Sequence, residues 1–471
     1  MSAAESRQPT LLDVFRNANF VKLWFGLFVS FLGDRVGQIG LVAILSATAT
    51  AAAGADHTTM ITFWSVLPYV LIGPFAGAVV DRYDRRKLMI VTDICRGIIY
   101  AALPFVFTMS VTPAALYGVA FIVGCGTCLF QPARSAFLPE IVPPEHLLRA
   151  NSVTSTMGTL TILLGTVVGG VLTASLARES VFLSAITPWL GPIRMEPGLA
   201  TAFLLDASTY FFSMLMLLWI RMPPIESVVV HARWRELKRS GSFLRNVADG
   251  LAYLRCHRVP ALCVLLTTLF FFVGGSVFTV INRIVFTRLA GVDPDHPASR
   301  ETTMYLGYAF GCLGLGMFTG GIITGRVALR LPVRWVLAVM FTLSALFLGL
   351  LAVTTGKSQV YIVLATVGAA AGGVVVLLDT ALQRSVPDEM RGRVFALNNL
   401  VLNSALLVAL VVCTACLHNG WLGTTGIVGA AAAFAGAGTL TAIAGFPAGL
   451  SVHGMREDPP HSAEHPPQPA E

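Results

Sequence analysis

Charge is what this chain lacks most. Only 12% of its 471 residues are Asp, Glu, Lys or Arg, against roughly 25% in soluble domains. That scarcity, with 55% hydrophobic content and a mean hydropathy of +0.74, excludes a water-soluble globular protein. It leaves an all-α membrane protein of many spans. The polar stretch from Met1 to Asn19 has no cleavable signal pattern, so the first span serves as its own insertion signal. No phosphate-binding glycine loop and no Ser-His or Cys-His constellation stands out, which argues against ATP as energy source and against an enzyme. None of the nine histidines lies centrally in a span. The C-x-x-C pairs Cys125/Cys128 and Cys413/Cys416 therefore lack further ligands and read as small packing residues, not as a metal site. No cofactor is expected. The net charge of +7 is spread over short loops without a basic-aromatic surface, so nucleic acid is not an expected partner.

What the chain has is apolar runs separated by polar punctuation. Read in order they give twelve spans, at 21–46, 60–80, 88–109, 114–132, 151–175, 199–220, 260–286, 304–325, 335–353, 361–382, 396–417 and 425–450. With both termini in the cytoplasm, 24 of the 32 Lys and Arg fall on that side and six outside, the bias expected of a cell-membrane protein in this orientation. The longest polar interval divides the chain into an N-terminal six-helix bundle (1–220), a cytoplasmic linker (221–259) and a C-terminal six-helix bundle (260–450). A tail from 451 to 471 is expected to be disordered. Within the linker, Phe243, Val247, Leu251 and Leu254 recur at helical spacing, predicting an amphipathic helix on the membrane surface.

The halves repeat. A shift of 244 residues lays Gly77, Asp81, Arg82 and Arg86 over Gly321, Gly325, Arg326 and Arg330; a shift of 243 lays Pro144-Glu145 over Pro387-Asp388. Two landmarks at nearly one offset indicate duplicated bundles related by pseudo-symmetry.

The densest charge lies between spans 2 and 3, in Gly77-Ala-Val-Val-Asp81-Arg82-Tyr-Asp84-Arg85-Arg86-Lys87. This loop resembles the signature of the major facilitator superfamily, with Asp84 where that family usually has Gly. Further stretches resemble its enterobactin and macrolide exporter branch: Gly33-Asp34, Gln131-Pro-Ala-Arg-Ser-Ala-Phe-Leu-Pro139, Leu205-Asp206-Ala and Val386-Pro-Asp-Glu-Met-Arg391-Gly-Arg393. The resemblance implies the major facilitator fold and a cytoplasmic gate made by Gly77, Asp81, Arg82, Arg85 and Arg86. Asp93 and Arg96, three apart on one face of span 3, are assigned to a structural pair or to that gate. Gly165-Thr166-Val-Val-Gly169-Gly170 resembles a motif of proton-coupled exporters, with Thr166 in place of the usual Pro; physically, its glycines allow close helix packing.

Four acids fall inside spans: Asp34, Asp93, Asp206 and Asp379. A carboxylate near mid-membrane costs about 2.5–3.5 kcal/mol, so it needs a wet cavity or a partner. Asp34, near the middle of span 1, is the first candidate for the proton-titrating group. Arg35, Gln38 and Asp206 are its companions in a coupling or substrate cavity. The expected activity is proton-coupled export of a small amphipathic molecule by a monomer in contact with membrane lipids. Two rivals are a lipid or lysophospholipid flippase of the same fold and a membrane sensor that moves nothing.

Overall fold

The computed structural model of the chain describes residues 14–48, 51–106, 112–143, 146–175, 195, 197–221, 243–289, 300–327, 331–447 and 450. The expected N-terminal stretch up to residue 13, the tail from 451, the linker portion 222–242, the repeat landmark Pro144-Glu145 and the side chain of Asp81 lie outside the described residues. Among those described, fourteen α-helices follow one another. They are α1 (Ala18–Thr48), α2 (Ala51–Leu71), α3 (Gly73–Arg82), α4 (Arg85–Val106), α5 (Pro113–Ile141), α6 (Leu147–Ser175) and α7 (Pro197–Trp219). Then come α8 (Phe243–Cys256), α9 (Arg258–Ile284), α10 (Arg300–Val327), α11 (Val333–Val353), α12 (Lys357–Ser385), α13 (Asp388–His418) and α14 (Thr424–Gly445).

Ten of these are long and apolar enough to cross a membrane. The remaining two positions of the twelve-span reading are taken by α2 with α3, and by α6. Helix α2 carries Asp56 and His57 in its first turns, which lowers its hydropathy. Span 2, read as one run over 60–80, is broken at Ile72, where Gly73-Pro74 starts a new helix; a proline is well accommodated in a first turn. Span 4, read as ending at 132, continues as helix to Ile141 with Pro132 and Pro139 inside it.

The neighbour pattern is made twice. Helix α1 packs on α6 and α7 as α9 packs on α13 and α14; α4 packs on α5 and α7 as α11 packs on α12 and α14; α2 packs on α5 as α10 packs on α12. Across the two sets, α2 meets α9 and α13 while α10 meets α1 and α6, again a matched exchange. This is the two-bundle pseudo-symmetric fold expected from the repeat.

Close helix approach is set by glycine. On α10 and α12 two G-x-x-x-G pairs face each other. A Cβ on Gly316 or Gly320 would stand 1.9 Å from the carbonyl oxygen of Ala365 or Ala369, and one on Gly368 or Gly372 would stand 2.1 or 2.0 Å from that of Leu313 or Met317. Only glycine at all four positions lets these backbones meet.

The apolar cores divide unequally. One cluster is shared by both sets at the end away from the charged loop, joining Leu41, Ile44 and Leu45 of α1 to Val280 and Ile284 of α9 and Leu306 of α10. At the loop end the cores are separate. Phe20, Leu23, Met89, Phe130 and Phe137 belong to the first set, and Leu266, Leu337, Leu377 and Val394 to the second. The second set's core includes Leu254 of α8, which buries Leu254 and lays Val247 and Gly250 against α13. Leu251, expected on the same apolar face, is exposed, because the close approach at Gly250 to the Arg393 carbonyl rotates it outward.

Candidate functional site

The charged groups buried in the first set converge on α1, α4 and α7. Helix α1 turns a glycine face toward α7. A Cβ on Gly33 would stand 2.0 Å from Thr209 Oγ1, and one on Gly37 would stand 2.0 Å from Asp206 Oδ2. These two glycines form the slot that holds the Asp206 carboxyl, which is fully buried. Thr209 Oγ1 lies 3.4 Å from Asp206 Oδ1, and Oδ2 has no hydrogen-bond partner among the described residues. The ring of Tyr100 stacks on Tyr210 with centroids 5.9 Å apart and on Phe203 at 6.0 Å, closing the slot from the α4 side.

Beside it lies Arg96, the largest fully buried side chain described. Its guanidinium is held between the rings of Phe130 and Tyr210, 4.8 and 4.4 Å from their centroids. It donates to Asp93 Oδ1 at 2.5 Å, to the Thr92 carbonyl at 3.3 Å and to Thr127 Oγ1 at 3.4 Å, and stands 3.9 Å from Asp34 Oδ1. Asp34 in turn accepts a hydrogen bond from the Tyr210 hydroxyl. Its side chain keeps 24% exposure, whereas Asp93 and Asp206 have none. Asp34 is thus the accessible member of a group of three carboxylates gathered about one guanidinium. Each uncompensated buried ion costs several kcal/mol, so the group is suited to taking up a proton or another cation.

Of the residues expected at this site, the structure brings together Asp34 and Asp206. Arg35 donates instead to Gln38 Oε1 at 3.1 Å, one turn on along α1. Asp93 and Arg96, assigned to a structural pair or the gate, are joined to Asp34 inside the bundle and not to the charged loop. Sequence reasoning missed Tyr100, Thr209 and Tyr210. Their signal was spacing: Tyr100 follows Arg96 by four residues, and Tyr210 follows Asp206 by four, placing each on the face of its charged neighbour.

Among the described residues, the hydrogen bonds and ion pair of the charged loop fall within the first set, and α3 also touches α13 of the second. Asp84 Oδ1 accepts from the Lys87 amide at 2.9 Å, an N-cap for α4, which accounts for an acid where the resembling family has glycine. Arg85 pairs with Glu140 of α5. Arg86 donates to the carbonyls of Leu217 and Leu218 at 2.9 and 2.8 Å, where the helix dipole of α7 favours a cation. Arg82 is exposed, and a Cβ on Gly77 would meet nothing within 4 Å.

At the opposite end the two sets touch directly. Asn282 Nδ2 of α9 donates to Thr59 Oγ1 of α2 at 3.3 Å, and Arg283 stands 3.9 Å from Asp56. The glycines of the Gly165-Thr166-Val-Val-Gly169-Gly170 stretch divide between two partners. A Cβ on Gly165 would meet Arg35 Cβ at 2.6 Å, one on Gly169 would meet Val36 Cα at 3.0 Å, and one on Gly170 would meet Gly307 Cα of α10 at 3.0 Å. That stretch joins α1 to the second set.

A sequence model described as Major Facilitator Superfamily matches residues 23–410. Macrolide efflux protein A of Streptococcus pyogenes is 23% identical over 394 residues, covering 83% of this chain and 87% of that protein. The lysophospholipid transporter LplT of Yersinia pestis is 25% identical over 347 residues, covering 73% and 74%. Among solved structures, a bacterial homologue of the human lysosomal transporter Spinster, inward-facing and occupied, superposes with a TM-score of 0.66 at 15% identity, covering 92% of this chain and 97% of that one.

Proposed function

Because the chain belongs to the major facilitator superfamily of membrane transporters, we propose that it is a proton-coupled exporter of amphipathic small molecules working by alternating access. Its two bodies are residues 1–220 and 260–450, joined by 221–259, and it lies in the cell membrane with both termini in the cytoplasm. The observation that carries this reading is the unequal core: one apolar cluster shared at the far end, two separate ones at the loop end. Such a molecule is closed on one side and open on the other. The basic loop, retained in the cytoplasm, makes the open side the inner one.

The buried cluster supplies the coupling. When Asp34 is charged, Tyr210 and Arg96 hold it against the wall formed by α4 and α7. Proton uptake at Asp34 weakens its attraction to Arg96 and leaves the Asp93–Arg96 pair intact, which shifts the balance between α1 and its neighbours. Helix α1 also packs on α6, whose Gly170 touches the second set, so a change at Asp34 has a short path to the interface. In the opposite state Gly77, Asp81 and Arg82 close further against the second set, into the open space that a Cβ on Gly77 would meet.

The similarity to macrolide efflux protein A favours export of a drug-like molecule, and that to a lysophospholipid transporter keeps lipid movement as the second reading. Proteoliposomes with an imposed pH gradient separate the two. A drug panel should be driven uphill by the wild type and not by Asp34→Asn, while lysophospholipid should not move. Gradient-driven transport by Asp34→Asn at the wild-type rate would remove Asp34 from the coupling role.

A further inference from the structure

The second set contains a polar pocket that the coupling cluster does not use. Between α9, α12 and α13 lies a cavity of about 210 Å³ lined by Thr267, Phe270, Phe271, Asp379, Phe395 and Asn398. Its one ionisable group is Asp379, six residues before the end of α12 and so about 9 Å along the helix from the loop end. No basic side chain stands within ion-pair distance of Asp379 among the described residues. Two of the nearest arginines in sequence on α13 are engaged elsewhere: Arg393 pairs with Asp249 at 3.0 Å, and Arg391 donates to the carbonyls of Gln383 and Val386.

A second group in the same wall is also unsatisfied. Asn398 is 3% exposed, and its Oδ1 is buried without a hydrogen-bond partner. A buried amide oxygen left alone is unfavourable by about 1–3 kcal/mol, which a donor from outside the protein would relieve. The mouth carries Asn399, which is exposed, and the half-buried Asn403 follows one turn further along α13. Amides facing hydrocarbon would be stranded, so this face borders the space between the two sets.

We propose that this pocket is a subsite for the protonated amine of an amphipathic cargo. The Asp379 carboxylate and the Asn398 oxygen receive the N–H donors, and the faces of Phe270, Phe271 and Phe395 take the cation and its adjoining apolar carbons. The volume suits a head group and not a whole drug-sized ligand. A bare metal ion fits the donor set poorly, since two oxygens among aromatic rings fall short of the six or more that a hard cation gathers. The inference rests on the exporter reading for its place on the transport route and deepens it by naming the charge class of the cargo.

The test is equilibrium binding to the purified full-length protein in nanodiscs, with no gradient. Propranolol, a secondary alkylamine that carries a naphthyl ring, is compared with its neutral N-acetyl analogue. The wild type should prefer the amine by about tenfold or more, the worth of a charge-assisted hydrogen bond. Asp379→Asn should erase that preference while leaving binding of the analogue unchanged, and Asp379→Glu should retain most of it. Asn398→Leu should reduce it several-fold. Equal affinity of wild type for the two compounds, or an undiminished preference in monodisperse Asp379→Asn, would overturn the proposal. Binding is read without transport, so loss of amine preference leaves the exporter reading intact. Failure of gradient-driven transport would leave the amine preference measurable.

Discussion

Replacing Arg96 with Leu should destabilise the protein more than any other single charge removal in the first set. The guanidinium is 2% exposed and Asp93 is 0% exposed, with 2.5 Å between them. Removing one partner of such a pair leaves a buried carboxylate uncompensated, at about 3–5 kcal/mol. Lost contacts with the Phe130 and Tyr210 rings add about 2 kcal/mol. At roughly 2–4 °C per kcal/mol for a body of this size, unfolding followed by fluorescence size-exclusion after heating should shift down by at least about 10 °C. The reasoning singles out the stranded charge, so Asp93→Asn combined with Arg96→Leu should recover more than half of the loss, a non-additivity that contacting residues display. A double variant as unstable as the two single losses summed would refute it, and would mean that Arg96 matters here only as a space-filling side chain between two rings.

Gly37→Ala should fold but transport poorly, because its methyl would stand 2.0 Å from Asp206 Oδ2 and displace the carboxyl from its slot; gradient-driven flux in proteoliposomes checks this. Gly320→Val should prevent assembly, since even a Cβ there would lie 1.9 Å from the Ala369 carbonyl oxygen, and a monodisperse protein by size exclusion would contradict the packing. Gly77→Ala, by contrast, should fold normally and lose flux, since its Cβ meets nothing within 4 Å in this state but would obstruct closure at the loop. A cysteine pair at Thr59 and Asn282, in a background with the native cysteines replaced, should cross-link under oxidation and stop transport until reduced.

The membrane class and the repeated-bundle fold were legible because hydropathy is a property of single segments and the repeat is visible as a fixed offset in the sequence. Helix facing was not, and that is where the reading fell short. Asp93 and Arg96 were correctly placed on one face of a helix, but which face turns inward depends on α7 supplying Tyr210 and on Gly126 of α5, where a Cβ would stand 3.1 Å from Arg96 Cδ. Asp206 was read as a companion of Asp34 in a cavity, yet two glycines on a distant segment bury it completely. The four glycines that seat α10 on α12 look unremarkable one helix at a time. Their meaning appears only when the two G-x-x-x-G pairs face each other. Asp84 shows the converse: its departure from the resembling pattern has a local cause, a helix cap, that sequence spacing alone could have supplied.

Rocking of two bodies about a shared far-end core is tested most directly by pulsed electron paramagnetic resonance on two spin-label pairs. One pair sits at Arg82 and Arg326, exposed and equivalent by the 244-residue repeat; the other sits at Thr112 and Ser358, exposed at the far end. On raising the pH in the presence of a transported compound, which leaves the carrier deprotonated and loaded for its outward step, the first distance should shorten as the second lengthens. Two distances that stay fixed, or that change in the same direction, would contradict alternating access.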